Sequence, residues 1–197
     1  MSNLALPILK SIPIDKFVFR DILLHDGTSF AVKDSLADEW PGRFTKTSPA
    51  AVELHVTMSA LEDNPIRIVL AADKESERAF APEAGDLKDC LLLEDRGYQD
   101  REFFMEVQNA DGFFIVRGTK NIRPTIRAAY DAAGRQVRSL EDKRLSWKRL
   151  PRETVDLDIE WCDGTSVYRG RLVAIYKKGS RNRKTFTYLH TNLARAT

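Results

Sequence analysis

Cys90-Leu91-Leu92-Leu93 is an unbroken apolar run that stops at Glu94-Asp95-Arg96-Gly97. Consecutive apolar residues with no polar interruption predict a strand buried on both faces. The charged stop takes the chain out of the sheet, and helical spacing follows over about 99 to 110, with Phe103, Phe104 and Val107 on one face. Asp111-Gly112 then turns the chain into a second short run, Phe113-Phe114-Ile115-Val116. Strand, helix and strand in that order place the chain in the α/β class.

The flanking segments add strands. Ile22 to Val32 is an apolar run with a polar interruption at His25 to Ser29. Val52, Leu54, Val56, Met58 and Ala60 alternate with polar residues, and Ile66 to Leu70 returns after the turn chemistry of Glu62-Asp63-Asn64-Pro65, predicting a hairpin. Residues 75 to 81 read as a short helix. Val155, Leu157, Ile159 and Trp161 alternate with acids, Cys162-Asp163-Gly164 turns, and Val167 to Tyr176 returns as a second hairpin. Lys177 to Lys184 reads as a loop with five basic residues in eight, and Thr185 to Leu193 as a last strand.

Composition narrows the classes. With 197 residues, 43% hydrophobic and 30% charged, the chain is globular. No apolar run approaches the ~20 residues that a membrane-spanning helix needs. The N-terminus, whose basic residues follow its apolar stretch, does not resemble a secretory signal, and none is expected. Cys90 and Cys162 form no CxxC and have no histidine at ligand spacing, so both are expected to be reduced core thiols in a cytoplasmic protein. Charge is split unevenly. Residues 1–119 carry 13 basic against 21 acidic side chains, and residues 120–197 carry 18 against 8. The second half therefore suits an anionic partner, although a basic surface that is only solvated gives the same count.

Two carboxylates are the best candidates for chemistry. Asp26 interrupts an apolar strand, where an unpaired buried charge would cost several kcal/mol. Asp95 ends a buried strand, the usual site position in α/β sheets. If the two strands are parallel neighbours, the carboxylates meet at one sheet edge and repel unless a cation lies between them, and a hard ion such as Mg²⁺ suits them. The plainer reading is that Asp26 opens an Asp26-Gly27 turn and Asp95 begins the helix. His55 reads as an outward-facing surface residue, His25 and His190 as structural, and Trp40, Trp147 and Trp161 as core anchors.

His25-Asp26-Gly27-Thr28-Ser29-Phe30 with Leu36 to Gly42, then Leu91-Leu92-Leu93-Glu94-Asp95-Arg96-Gly97-Tyr98 with Phe113 to Arg117, then Leu189-His190-Thr191-Asn192-Leu193, resemble in order the blocks of the DDE transposases of the insertion-sequence-4 family. The resemblance covers most of residues 14 to 193. It implies an RNase H-like mixed sheet flanked by helices, with a basic antiparallel β insertion: a first core part over 1–119, the insertion over 120–184 and a returning core strand over 185–197. It implies that Asp26 and Asp95 are catalytic and hold Mg²⁺, with Mn²⁺ as a substitute, for DNA strand cleavage and strand transfer. The partners implied are DNA, as transposon ends and target, and a second copy of the chain in the assembled complex, with no membrane. Arg96, Tyr98, Arg117 and Lys120 fall near that site as DNA contacts. Tyr98 packing on the helix is an equal reading, and Arg96 also reads as a neighbouring cation that steadies Asp95. Lys177, Lys178, Arg181, Arg183 and Lys184 are the expected phosphate-binding loop. The family's third acid, a Glu on a helix after the Thr-Asn-Leu strand, has no counterpart before Thr197, so a fragment is expected. The alternatives are an inactive DNA-binding remnant and an RNase H-like nuclease unrelated to transposition.

Overall fold

A computed structural model of the protein describes residues 18–119, 121–163, 166–179 and 184–195. Ten strands among these residues form one mixed sheet. They are β1 (Asp21–Ala31), β2 (Pro41–Phe44), β3 (Ser48–Ser59), β4 (Asn64–Ala72), β5 (Cys90–Glu94), β6 (Phe113–Gly118), β7 (Thr125–Asp131), β8 (Val155–Asp163), β9 (Ser166–Lys178) and β10 (Lys184–Thr191). The single α-helix among the described residues, α1 (Arg101–Asn109), joins β5 to β6. Across the sheet the order is β2-β3-β1-β5-β6-β10-β9-β8-β7, with β4 also pairing to β3. β1, β3 and β4 are antiparallel neighbours, whereas β5 lies parallel to β1 and β6 parallel to β5. This is an α/β fold with RNase H-like strand order. β10 returns antiparallel to β6, and β9, β8 and β7 extend the same sheet beyond it.

Local chemistry sets the element ends. The Asp100 side chain accepts hydrogen bonds from the Glu102 and Phe103 amides at 2.8 and 3.3 Å, capping α1. Such a cap contributes about 1 kcal/mol. α1 then buries Phe104 and Val107 against the sheet, with the Phe104 and Phe114 rings stacked 4.5 Å apart. The main core on this face continues through Leu92, Val116, Leu157, Leu172 and Tyr188. A smaller apolar cluster, centred on Ile22, Ala60 and Leu91, occupies the opposite face. Asn192 closes the return of β10: its side chain accepts from the Phe114 amide at 3.0 Å and donates to the Gly112 carbonyl at 2.8 Å.

Three local expectations change. The helix read over 75 to 81 is a single 3-10 turn at Glu77–Phe80, because Arg67 Nη1 captures the Phe80 carbonyl at 2.5 Å and stops propagation. Lys177, Lys178 and Lys184 are strand residues, at the end of β9 and the start of β10. Cys90 is a buried thiol, but Cys162 is exposed, since it shares the charged face of β8 with Glu160. No helix among the described residues is long and apolar enough to cross a membrane.

Candidate functional site: two carboxylates at the parallel edge

β1 and β5 pair in register as Leu24↔Leu93 and His25↔Glu94, so the next residues along the two strands are Asp26 and Asp95. Adjacent strands lie about 4.8 Å apart. Side chains alternate along a strand, and Leu24 and Leu93 both join the smaller apolar cluster. Asp26 and Asp95 therefore point to that same face. Asp95 has extended backbone (φ −84, ψ 177), which carries the alternation one residue past β5. Asp26 is not in a turn, because β1 continues to Ala31 with Asp26 opposite Val56 and Gly27 opposite His55.

Cations flank Asp95. Arg117, on the neighbouring β6, places Nη1 3.2 Å from Asp95 Oδ1, and Arg96 Nε stands 3.9 Å from Oδ2. Asp26 Oδ1 accepts the Gly27 amide at 2.9 Å. Four of the residues expected at the site are thus brought together: Asp26, Asp95, Arg96 and Arg117. Lys120 lies outside the described residues. Among the described residues, no group of three or more His, Cys, Asp or Glu side chains is placed to hold a metal ion. Two hard carboxylate oxygen donors on one face still fit a divalent ion that keeps most of its ligands as water.

Tyr98 is elsewhere. It is only 3% exposed, and its hydroxyl lies 3.1 Å from His55 Nδ1, so it has no surface to offer a DNA base. His55, read from alternation as outward-facing, is 1% exposed, with its ring stacked on Phe80 at 4.4 Å. The 3-10 turns Glu77–Phe80 and Arg96–Tyr98 cover that face of β3, which periodicity cannot reveal. Burial holds the His55 pKa below its ordinary value and takes His25 down to about 4. The same burial keeps the Tyr98 phenol protonated far above the usual range. This layer explains Gly27. A Cβ there would stand 2.9 Å from Glu53 Oε1, 3.0 Å from Tyr98 Oη and 3.1 Å from His55 Nδ1. Glycine lets the Tyr98–His55 pair lie directly behind the Asp26 strand.

Sequence reasoning missed Glu94. Its carboxyl faces the main core, opposite to Asp95, with both oxygens buried and without a hydrogen-bond partner. Burial pushes its pKa up to about 8. It is therefore no third ligand for the Asp26–Asp95 edge. It sits in a lateral row, Thr57-His25-Glu94-Val116-His190-Leu172, that runs across the sheet. The only signal was its place between Leu93 and Asp95, where alternation turns it inward.

The basic half is less uniform than its composition. On one face of β8, Asp156 pairs with Arg171 at 2.7 Å and Arg195 at 3.0 Å, Asp158 with Arg195 at 2.6 Å, and Glu160 with Arg127 at 2.6 Å and Arg169 at 3.1 Å. Lys177 and Lys178 are exposed at the end of β9. Lys184 is turned inward, its Nζ donating to the Lys148 and Leu150 carbonyls. Arg181 and Arg183 lie outside the described residues. Trp147, expected as a core anchor, is instead 50% exposed.

A comparison with curated proteins finds no match. Among solved structures, a piggyBac transposase synaptic complex with hairpin DNA, determined by cryo-electron microscopy, is similar at 10% identity and a TM-score of 0.46. The alignment covers 89% of this chain and 34% of that one, so the chain spans about a third of that protein's length. The family described as Transposase DDE domain matches residues 18–193, nearly the whole of the described chain. With that match over a sheet whose adjacent parallel strands carry Asp26 and Asp95 one step past their last paired residues, the chain belongs to the Transposase DDE domain family.

Proposed function

We propose that this chain supplies two carboxylates of a divalent-metal site for DNA strand cleavage and strand transfer, in a transposase of the insertion-sequence-4 type. The observation that carries the reading is the in-register placement of Asp26 and Asp95 on one face of adjacent parallel strands. Asp26 and Asp95 would hold Mg²⁺ or Mn²⁺, which when bound stabilises the attacking and leaving oxygens of an in-line phosphoryl transfer. Arg117 fixes the rotamer of Asp95 through Oδ1, and with Arg96 it adds positive charge where a DNA phosphate arrives. Residues 120–184, as an insertion between the core strands β6 and β10, would hold DNA. The partners are transposon ends and target DNA, with a second copy of the chain in the assembled complex.

Calorimetric titration of the protein with Mn²⁺ tests the site. Weak binding that is lost in both Asp26→Asn and Asp95→Asn supports it, and binding that survives both substitutions refutes it. A second reading, an inactive DNA-binding remnant, is favoured by the lack of a three-carboxylate group among the described residues. Metal-dependent nicking of plasmid DNA that Asp95→Asn abolishes would decide for the enzyme.

A further inference from the structure

The positive charge of the second half is concentrated by the way its carboxylates are used. The acids of β8 neutralise Arg127, Arg169, Arg171 and Arg195, while Asp131 holds Arg135 at 2.7 Å and Asp142 holds Arg127 at 2.9 Å. Arg123, Arg144, Lys148 and Arg149 have no carboxylate within ion-pair distance among the described residues. These four line one cleft of about 610 Å³ together with Trp147. A neighbouring cavity of about 400 Å³ shares Trp147 and Tyr188 with it and adds Phe186.

The cleft is built and not a frayed loop. Buried Leu145 and Leu150 anchor the segment at both ends, leaving Trp147, Lys148 and Arg149 exposed between them. The Leu145 amide donates to the Pro124 carbonyl at 2.8 Å, and Lys184 Nζ caps the carbonyls of Lys148 and Leu150. An indole is thereby held half in water beside four unneutralised cations. Such a surface matches a polyanion that carries flat, apolar faces. In a duplex those faces are hidden in the base stack, whereas a single strand presents them.

We infer that this cleft binds an unpaired stretch of DNA, with a base stacked on Trp147 and the flanking phosphates on Arg123, Arg144, Lys148 and Arg149. The site deepens the DNA reading above and rests on it for the choice of DNA. It follows the end of β6 in the chain. Asn121 in the cleft wall is four residues beyond Arg117, the partner of Asp95, and so at most about 14 Å from it along the chain.

The test is fluorescence anisotropy with a labelled oligonucleotide, offered single-stranded and as a duplex, over a range of salt. EDTA is present throughout, so the result is independent of any chemistry at Asp26 and Asp95. Trp147→Ala should weaken single-strand binding by about 10-fold or more, Trp147→Phe should restore most of it, and duplex binding should change by less than about 2-fold. Arg144→Ala with Arg149→Ala should reduce the slope of log K against log salt for the single strand by about 1.4, at about 0.7 per phosphate contact. All these side chains are exposed, so unchanged thermal unfolding is the expected control for the fold. Single-strand affinity indifferent to Trp147→Ala would overturn the inference, as would equal losses on single strand and duplex. If neither DNA form binds, the cleft fails while the metal titration still judges the carboxylate reading.

Discussion

Glu94→Gln should make the protein more stable near neutral pH, by an amount that grows as pH rises. The Glu94 side chain is 7% exposed, and neither oxygen has a partner. Burial lifts its pKa from 4.5 to about 8. Between those values the unfolded chain releases a proton that the folded chain keeps. The stability associated with this group is complete below pH 4.5 and is lost as pH climbs toward 8. Each unit corresponds to about 1.36 kcal/mol, so the loss at pH 7 relative to pH 4.5 is about 3.4 kcal/mol. Glutamine keeps the shape and the buried polar atoms of the protonated acid but cannot titrate. Urea unfolding of both proteins at pH 5, 6, 7 and 8, in EDTA, would read the difference. It should be within about 1 kcal/mol at pH 5, reach about 3 kcal/mol in favour of the variant at pH 7, and level off above pH 8. In thermal scans the pH 7 difference corresponds to about 6–12 °C for a chain of this size. His25 and His190 titrate identically in both proteins and cancel. A difference that stays flat from pH 5 to 8 would refute the argument, because it would mean that Glu94 is ionised in the folded protein.

The other expectations are smaller in scope. Tyr98→Phe removes the 3.1 Å contact with His55 and leaves a buried ring nitrogen unpaired, which should cost about 1–3 kcal/mol in denaturant unfolding. Gly27→Ala presses a methyl group against Glu53, Tyr98 and His55 and should destabilise by about 1–3 kcal/mol, read in the same assay. His190 is buried with both ring nitrogens unpartnered, and burial takes its pKa down to about 3. Stability should therefore fall as pH drops below 6.5, and His190→Leu should be favoured over wild type by about 3 kcal/mol at pH 4.5 on top of any constant offset measured at pH 7.5.

How much of this was legible depends on the face of the sheet. The unbroken run of β5, the amphipathic spacing of α1 and the alternation of β8 are patterns that burial writes directly into the sequence, and each formed where expected. The parallel pairing of β1 with β5, on which the meeting of Asp26 and Asp95 depends, was a conditional that the sequence left open. β2 and β7 carried too few alternating apolar residues to be read. The polar face of β3 misled. Glu53, His55, Thr57 and Ser59 alternate as a solvent-exposed row would, yet all four are buried. Arg43, the Glu77–Phe80 turn and Tyr98 cover Glu53 and His55, with Arg43 at 3.4 Å from Glu53 and 3.2 Å from Glu77, while His25 partners Thr57 and Asp21 partners Ser59. Such covers come from distant parts of the chain, and no local period encodes them.

The same limit applies to charge. Counting Lys and Arg pointed to the segment after residue 120 and, within it, to the dense run from Lys177 to Lys184. Density along the chain is a poor guide to free charge in the fold, because the pleat puts alternate residues on one face where they meet the residues of the neighbouring strand. Asp156, Asp158 and Glu160 are separated by single residues, and each lands opposite an arginine of β9 or within reach of Arg127 or Arg195. Three acids of one strand, with Asp142 on Arg127, thus pair with four cations that the count had treated as available. Arg144, Lys148 and Arg149 lie in the connection between β7 and β8, where Arg144 bridges the uncharged Thr125 and no acid among the described residues comes within ion-pair distance. Field strength at a surface depends on this residual and not on the total. The sites that remain for phosphate are set by which basic residues the sheet fails to pair, and among the described residues one such group surrounds an exposed tryptophan.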